Sequence, residues 1–174
     1  VVKDNVCAAS TNVTISQPTE LTISAAVQKG ISCNALSDGS IEALGSGGTG
    51  PYQYSINGSL YGASNVFAGL AAGNYKIWVK DASGCVKESA IVALTQPANV
   101  ALTVFSKTDV SCYGASTGSM TLSGTGGTLP YGFSKDGTTF QTSSTFSSLP
   151  AGALTLTLKD ANGCKAVISS EILQ

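Results

Sequence analysis

The feature that most constrains this chain is an internal repeat. Sliding the sequence against itself gives one dominant offset of 79 residues, holding without a gap from Pro18/Pro97 to Leu94/Leu173, with 25 identities in 77 aligned pairs. A period of this length means that one structural unit is built twice. The identities fall on residues that set backbone shape: Gly39/Gly118, Gly47-Gly48/Gly126-Gly127, Gly58/Gly137, Gly73/Gly152 and Gly84/Gly163. Turn positions are therefore held while strand side chains drift.

Between the turns, apolar and polar residues alternate with period two, as in Tyr75-Lys76-Ile77-Trp78-Val79 and its counterpart Leu154-Thr155-Leu156-Thr157-Leu158. That alternation is the pattern of a half-buried strand. In the first repeat it predicts strands near 21–27, 40–46, 52–57, 59–62, 65–68, 74–80 and 86–94. Seven short strands in about 79 residues predict an all-β fold of two tandem Ig-like sandwich repeats, residues 18–96 and 97–174. The opening Val2-Lys3-Asp4-Asn5-Val6-Cys7 matches Val79 to Cys85 with one residue deleted, and Ser16-Gln17-Pro18 matches Thr95-Gln96-Pro97. Residues 1–17 are therefore expected to be the C-terminal strand of a preceding repeat, cut from a longer array.

Composition narrows the chemistry. With 24 Ser, 18 Thr, 20 Gly, nine Lys and neither Arg nor His, the chain has a strand-and-turn inventory. Absent His removes the usual general base and the commonest metal ligand, and absent Arg removes the bidentate anion clamp. A net charge of −1 with scattered lysines excludes nucleic acid as a partner. The longest apolar run, Val66 to Ala72, already contains a glycine, so no direct membrane insertion is expected.

Cysteines 7, 33, 85, 112 and 164 reduce in register to two positions per repeat. Equal spacing within both repeats favours the disulfides Cys33–Cys85 and Cys112–Cys164, with Cys7 waiting for an upstream partner. The competing pattern joins Cys7–Cys33 and Cys85–Cys112 and leaves Cys164 for a following repeat. A plain Ig strand order puts the two positions at opposite ends, which argues against pairing within a repeat. Disulfides in either pattern imply an oxidising, extracytoplasmic location.

The glycine clusters Gly45 to Gly50 and Gly124 to Thr128 lack the lysine and the following helix of a phosphate loop, and read as strand-to-strand turns. Asp81 and Asp160 open Asp-Ala-Ser/Asn-Gly turns, where the carboxylate caps backbone amides and Gly84 or Gly163 takes positive φ. No acidic cluster supplies the oxygens calcium needs, so no metal or other cofactor is expected. Isolated Asp38, Glu42 and Glu88 do not make a glycosidase pair. The sequence does not read as an enzyme. Of the two sequons, Asn57-Gly58-Ser59 reads as a hairpin turn. Trp78, aligned with Thr157, falls on the outer face between Lys76 and Lys80, and is the candidate for an exposed contact.

The ordered landmarks Ser32-Cys33-Asn34, Ser37-Asp38-Gly39-Ser40-Ile41, Gly47 to Ser55, Leu70 to Tyr75 and Val79 to Cys85 resemble the SprB-type repeats of very large surface adhesins in gliding Bacteroidota. The second repeat carries Ser111-Cys112-Tyr113-Gly114, Gly126 to Tyr131, Leu149 to Gly152 and Lys159 to Cys164, with departures at Thr117, Phe133 and Leu154. The resemblance implies an outer-membrane-attached cell-surface filament, exported by the type IX system, that contacts the substratum and moves along the cell in gliding. Its partners would be neighbouring repeats and substratum polysaccharide or other surface proteins. The alternative is a carbohydrate-binding accessory module of a secreted protein.

Overall fold

The computed structural model describes residues 2–3, 8–9 and 11–174. Among these described residues the elements are strands: Val2–Lys3 (β1), Ala8–Ala9 (β2), Thr22–Lys29 (β3), Gly39–Ser46 (β4), Gln53–Ser55 (β5), Val66–Leu70 (β6), Gly73–Tyr75 (β7), Trp78–Lys80 (β8), Val86–Glu88 (β9), Val92–Leu94 (β10), Ala101–Thr108 (β11), Gly118–Thr125 (β12), Gly132–Ser134 (β13), Thr145–Leu149 (β14), Gly152–Lys159 (β15) and Lys165–Ile172 (β16). The fold is all-β, and its strands pair antiparallel. Among the described residues no helix is long and apolar enough to cross a membrane.

The chain divides into two compact units. One gathers residues 1–25, 43–65 and 76–90; the other gathers 26–42, 66–75 and 91–174. In the second unit, the repeat from Pro97 onward builds two three-stranded sheets, β11-β12-β14 and β13-β15-β16. This is the Ig arrangement of first, second and fifth strands in one sheet against third, sixth and seventh in the other. Inward residues from both sheets form one core: Leu102, Met120, Leu122, Phe146 and Leu149 from one side, and Phe133, Leu156, Leu158 and Ile172 from the other. Leu156 and Leu158 are fully buried, and each contributes about 1.5–3 kcal/mol by leaving water.

The first repeat uses the same order, with sheets β3-β4-β6 and β5-β8-β9 and the short pair β7-β10. Strands β3 and β4 contribute residues to both units. In the first unit Leu21, Ala43, Tyr54, Ile77 and Val79 are buried; in the second, Ile31, Ile41, Val92 and Leu94. The segment expected as a strand at 59–62 is reduced to a single bridge between Tyr54 and Gly62, because the Asn57 side-chain Oδ1 accepts the amides of Ser59 and Leu60, each at 3.0 Å, and holds them in a turn. The short strands β1 and β2 pair Lys3 with Ala8 as Lys80 pairs with Val86.

One difference between the repeats is hidden by the ungapped alignment. In the second repeat β15 and β16 pair continuously, with Thr157 opposite Val167 and Gly152 opposite Ile172. In the first, Trp78 lies opposite Glu88 but Tyr75 lies opposite Val92, so the last strand carries one extra residue at 89–91. Ser89 makes this tolerable: its hydroxyl accepts the Ile77 amide at 3.0 Å and donates to the Ala90 carbonyl at 2.7 Å. Leu94 thereby takes the buried place of Ile172, whereas its sequence counterpart Leu173 is exposed.

Candidate functional site at the cysteine loops

Each repeat presents two preformed loops. The first lies between its first two strands. Asp38 accepts the Ser32 amide at 3.0 Å, the Ser32 hydroxyl at 2.7 Å and the Lys29 ammonium at 2.9 Å. The Lys29 bond, followed by those from Ser32, holds its carboxyl well below the usual range. The loop closes through the Leu36 amide on the Cys33 carbonyl at 3.2 Å, with Ala35 at φ 61°. In the second repeat Thr117 replaces Asp38 yet keeps the cap, accepting the Ser111 amide at 3.0 Å. The Ala115 amide closes on the Cys112 carbonyl at 3.0 Å, with Gly114 at φ 74°.

The second loop is the turn between the last two strands. Asp160 is buried; it accepts the Thr128 amide at 2.8 Å, the Asn162 amide at 2.9 Å and the Cys164 amide at 2.8 Å. Asp81 does the same for Thr49 at 3.0 Å and Cys85 at 2.8 Å. Each carboxylate thus ties its hairpin turn to the diglycine turn, while Gly84 and Gly163 sit at φ 88° and 86°, a region costly for any side chain.

The Thr49 amide, then those of Cys85 and Ser83, lowers the Asp81 pKa against the opposing effect of burial. A lowered native pKa means that the unfolded chain binds the proton first. The stabilisation is therefore complete above the ordinary carboxylate range and is lost as pH falls through the native value. Asp81→Asn should lower stability at neutral pH and flatten the loss of stability below about pH 4. Urea midpoints from pH 2 to 7 check this; parallel curves for the two proteins would refute it.

Within the second unit, the two kinds of loop meet. Cys33 and Cys164 form a disulfide with their Cα atoms 5.7 Å apart. The Asn162 side-chain amide donates to the Ser32 carbonyl at 2.9 Å. The linker joins in: the Ala35 amide donates to the Gln96 side chain at 2.8 Å, and the Asn34 side chain donates to the Pro97 carbonyl at 3.1 Å. Cys33, Asn34, Leu36, Asn99, Val100 and Cys164 are among the residues lining a cleft of ≈ 220 Å³.

This pairing replaces both patterns expected from spacing. Neither Cys33–Cys85 nor Cys112–Cys164 forms, and Cys85 and Cys112 are exposed thiols. The reason is strand order. Cys112 precedes β12, whereas the Cys164 turn is anchored on Thr128, beyond the far end of β12. Eight extended residues separate the two ends by roughly 25 Å at about 3.3 Å per residue, far outside the reach of a disulfide. The Cys7–Cys33 alternative fails because Cys33 bonds Cys164; Cys7 itself lies outside the described residues. Ser32, Asn34 and Asn162 stand out in the sequence only as landmarks of the resemblance and of the turn, with no sign that they meet. The recurrence of Gln-Pro at 17–18 and 96–97, beside invariantly placed cysteines, was the available signal.

Trp78 is half-buried. A Cβ on Gly58 would lie 3.3 Å from its Cε2, so the ring rests on the Asn57-Gly58 turn. Lys76 pairs with Glu88 at 2.8 Å, and the Lys80 ammonium lies 5.7 Å from the Tyr61 ring centre. The counterpart Thr157 is buried. Among the described residues no three His, Cys, Asp or Glu side chains converge as a metal site.

Residues 25–60 and 104–138 each match the SprB repeat. Both repeats of the chain are thus similar to the SprB repeat. The matches together cover less than half of the 174 residues and include the Cys33 and Cys112 loops but not the Cys85 and Cys164 turns. SprB repeats belong to cell-surface adhesins, which supports a structural repeat of a surface adhesin and an extracellular or surface location. No curated protein matches the chain. Among solved structures, the three N-terminal domains of the Highly Immunogenic Outer Capsid protein of bacteriophage RB49 are similar at TM-score 0.47 and 16% identity, over 89% of this chain and 59% of that one. A C-terminal 282-residue fragment of intimin, in complex with the intimin-binding domain of its translocated receptor, is similar at TM-score 0.43 and 10% identity, over 91% and 65%. Extracellular domains 3–5 of Drosophila OTK follow at TM-score 0.35 and 14% identity, over 88% and 61%. The chain thus spans about three fifths of the length of these solved chains.

Proposed function

We propose that this chain is a stalk segment of a long cell-surface filamentous adhesin used in gliding motility and surface attachment and exported by the type IX system, with residues 18–96 and 97–174 as successive modules. One observation carries the reading: the Cys33–Cys164 bond joins a loop of one SprB repeat to a turn of the next. A short linker would otherwise leave successive modules free to swing. A covalent staple, flanked by hydrogen bonds to the linker at Gln96 and Pro97, favours an extended array that carries a binding tip away from the cell. Such a bond persists in an oxidising compartment.

The test is made on cells that carry the parent adhesin. An antibody raised against residues 18–174 should label intact cells, and external protease should remove the label. Deleting residues 18–174, or replacing Cys33 and Cys164 together by Ser, should reduce attachment to glass and displacement over it. Labelling only after permeabilisation, or unchanged attachment and displacement in both variants, would overturn the reading.

A further inference from the structure

We infer that the thiols of Cys112 and Cys85 are the two open halves of the same linkage, each shaped to bond an SprB repeat of this kind: Cys112 to the turn cysteine of a following repeat, Cys85 to the loop cysteine of a preceding one. This deepens the stalk reading and rests on it. The junction already present supplies the template, since it joins a Cys33-type loop to a Cys164-type turn. Cys112 occupies the first position and Cys85 the second.

Both open halves are held in the conformation of the bonded ones. At the loop, Gly114 at φ 74° repeats Ala35 at φ 61°, and the amide-to-carbonyl closure onto Cys112 at 3.0 Å repeats that onto Cys33 at 3.2 Å. At the turn, Asp81 accepts the Cys85 amide at 2.8 Å as Asp160 accepts that of Cys164 at 2.8 Å. The Gly84 amide closes on Asp81 at 3.0 Å, and Gly163 on Asp160 at 3.1 Å. Part of the support recurs too, although Ser83 stands where Asn162 does. Ser111 offers the carbonyl that Ser32 gives to Asn162, and Gln17 recurs where Gln96 caps Ala35. Both thiols are exposed, and Tyr113, in the place of Asn34, stands 93% exposed beside one of them. Bonding requires no rearrangement of either loop, so the ordering cost is small.

The bond forms by exchange with a small-molecule disulfide. One protein thiolate attacks a sulfur of the oxidant, giving a mixed disulfide and releasing one small thiol. The second protein thiolate then attacks the protein sulfur of that intermediate and releases the other small thiol. Two protein thiols are oxidised and one small disulfide is reduced to two thiols.

The test uses the whole chain with Cys7→Ser, concentrated in a buffer of reduced and oxidised glutathione, and read by non-reducing electrophoresis and peptide mapping. A second copy of the chain stands in for the neighbouring repeat. The expected result is a ladder of dimers, trimers and longer species linked Cys85–Cys112. Cys85→Ser or Cys112→Ser alone should stay monomeric, and mixing the two variants should give a heterodimer joined Cys112 to Cys85. A parent chain that stays monomeric, or homotypic links at their statistical frequency, would overturn the inference. If the map shows Cys33–Cys164 but no Cys85–Cys112, only this inference falls; if Cys33–Cys164 is itself missing, the stapled stalk falls with it.

Discussion

Reducing the Cys33–Cys164 bond is expected to lower the free energy of unfolding by about 5 kcal/mol, because the bond closes a loop with a sequence separation of 131 residues and the chain-entropy cost grows with the logarithm of that length. For a chain of this size each kcal/mol moves the melting temperature by about 2–4 °C. A fall of roughly 10–20 °C on adding reductant is therefore expected. The exposed thiols provide the control. Cys85→Ser and Cys112→Ser remove sulfur atoms without touching that loop, so single chains of these variants should melt with the parent and respond to reductant in the same way. Cys33→Ser should melt like the reduced parent and ignore reductant. A reductant-induced change under about 1 kcal/mol would show that the bond does not constrain the unfolded chain as the loop model requires.

Local features were legible in the sequence and long-range pairings were not. The glycine turns and the period-two alternation placed most strands within a few residues, since both signals arise from neighbours along the chain. The turn carboxylates were equally visible, because an Asp three residues before a Gly has few other uses. Disulfide connectivity was different in kind. Spacing along the chain suggested Cys112–Cys164, but the bond depends on which sandwich end each loop occupies, and that follows from strand order. The capping role at position 38 survived an apparent loss: Thr117 does with a hydroxyl what Asp38 does with a carboxylate. The extra residue at 89–91 was invisible for a third reason. An ungapped match between Leu94 and Leu173 looks like equivalence, and only the register with β7 shows that Leu94 plays the part of Ile172.

Among the turn glycines, Gly126→Ala, together with its counterpart Gly47→Ala, is expected to have the largest effect, costing about 2–4 kcal/mol. Two penalties combine there. The residue sits at φ 74°, which alone costs an L side chain about 1–2 kcal/mol. An added Cβ would also fall on the carbonyl of Asn99, and backbone yields less readily than the end of a side chain. The neighbouring Gly127 amide bonds the Ala98 carbonyl at 2.9 Å, and a Cβ on Gly127 would meet the Asp160 carboxylate 2.5 Å away. Displacing this turn therefore threatens the carboxylate that organises the Cys164 loop. Gly114→Ala separates the two penalties, since Gly114 has the same φ of 74° but no atom within 4 Å of the added carbon. It should cost only about 1–2 kcal/mol. Urea denaturation of the two variants beside the parent measures the difference. Equal losses would mean that the close approach to Asn99 contributes nothing, and that backbone angle alone explains why both repeats keep the diglycine turn.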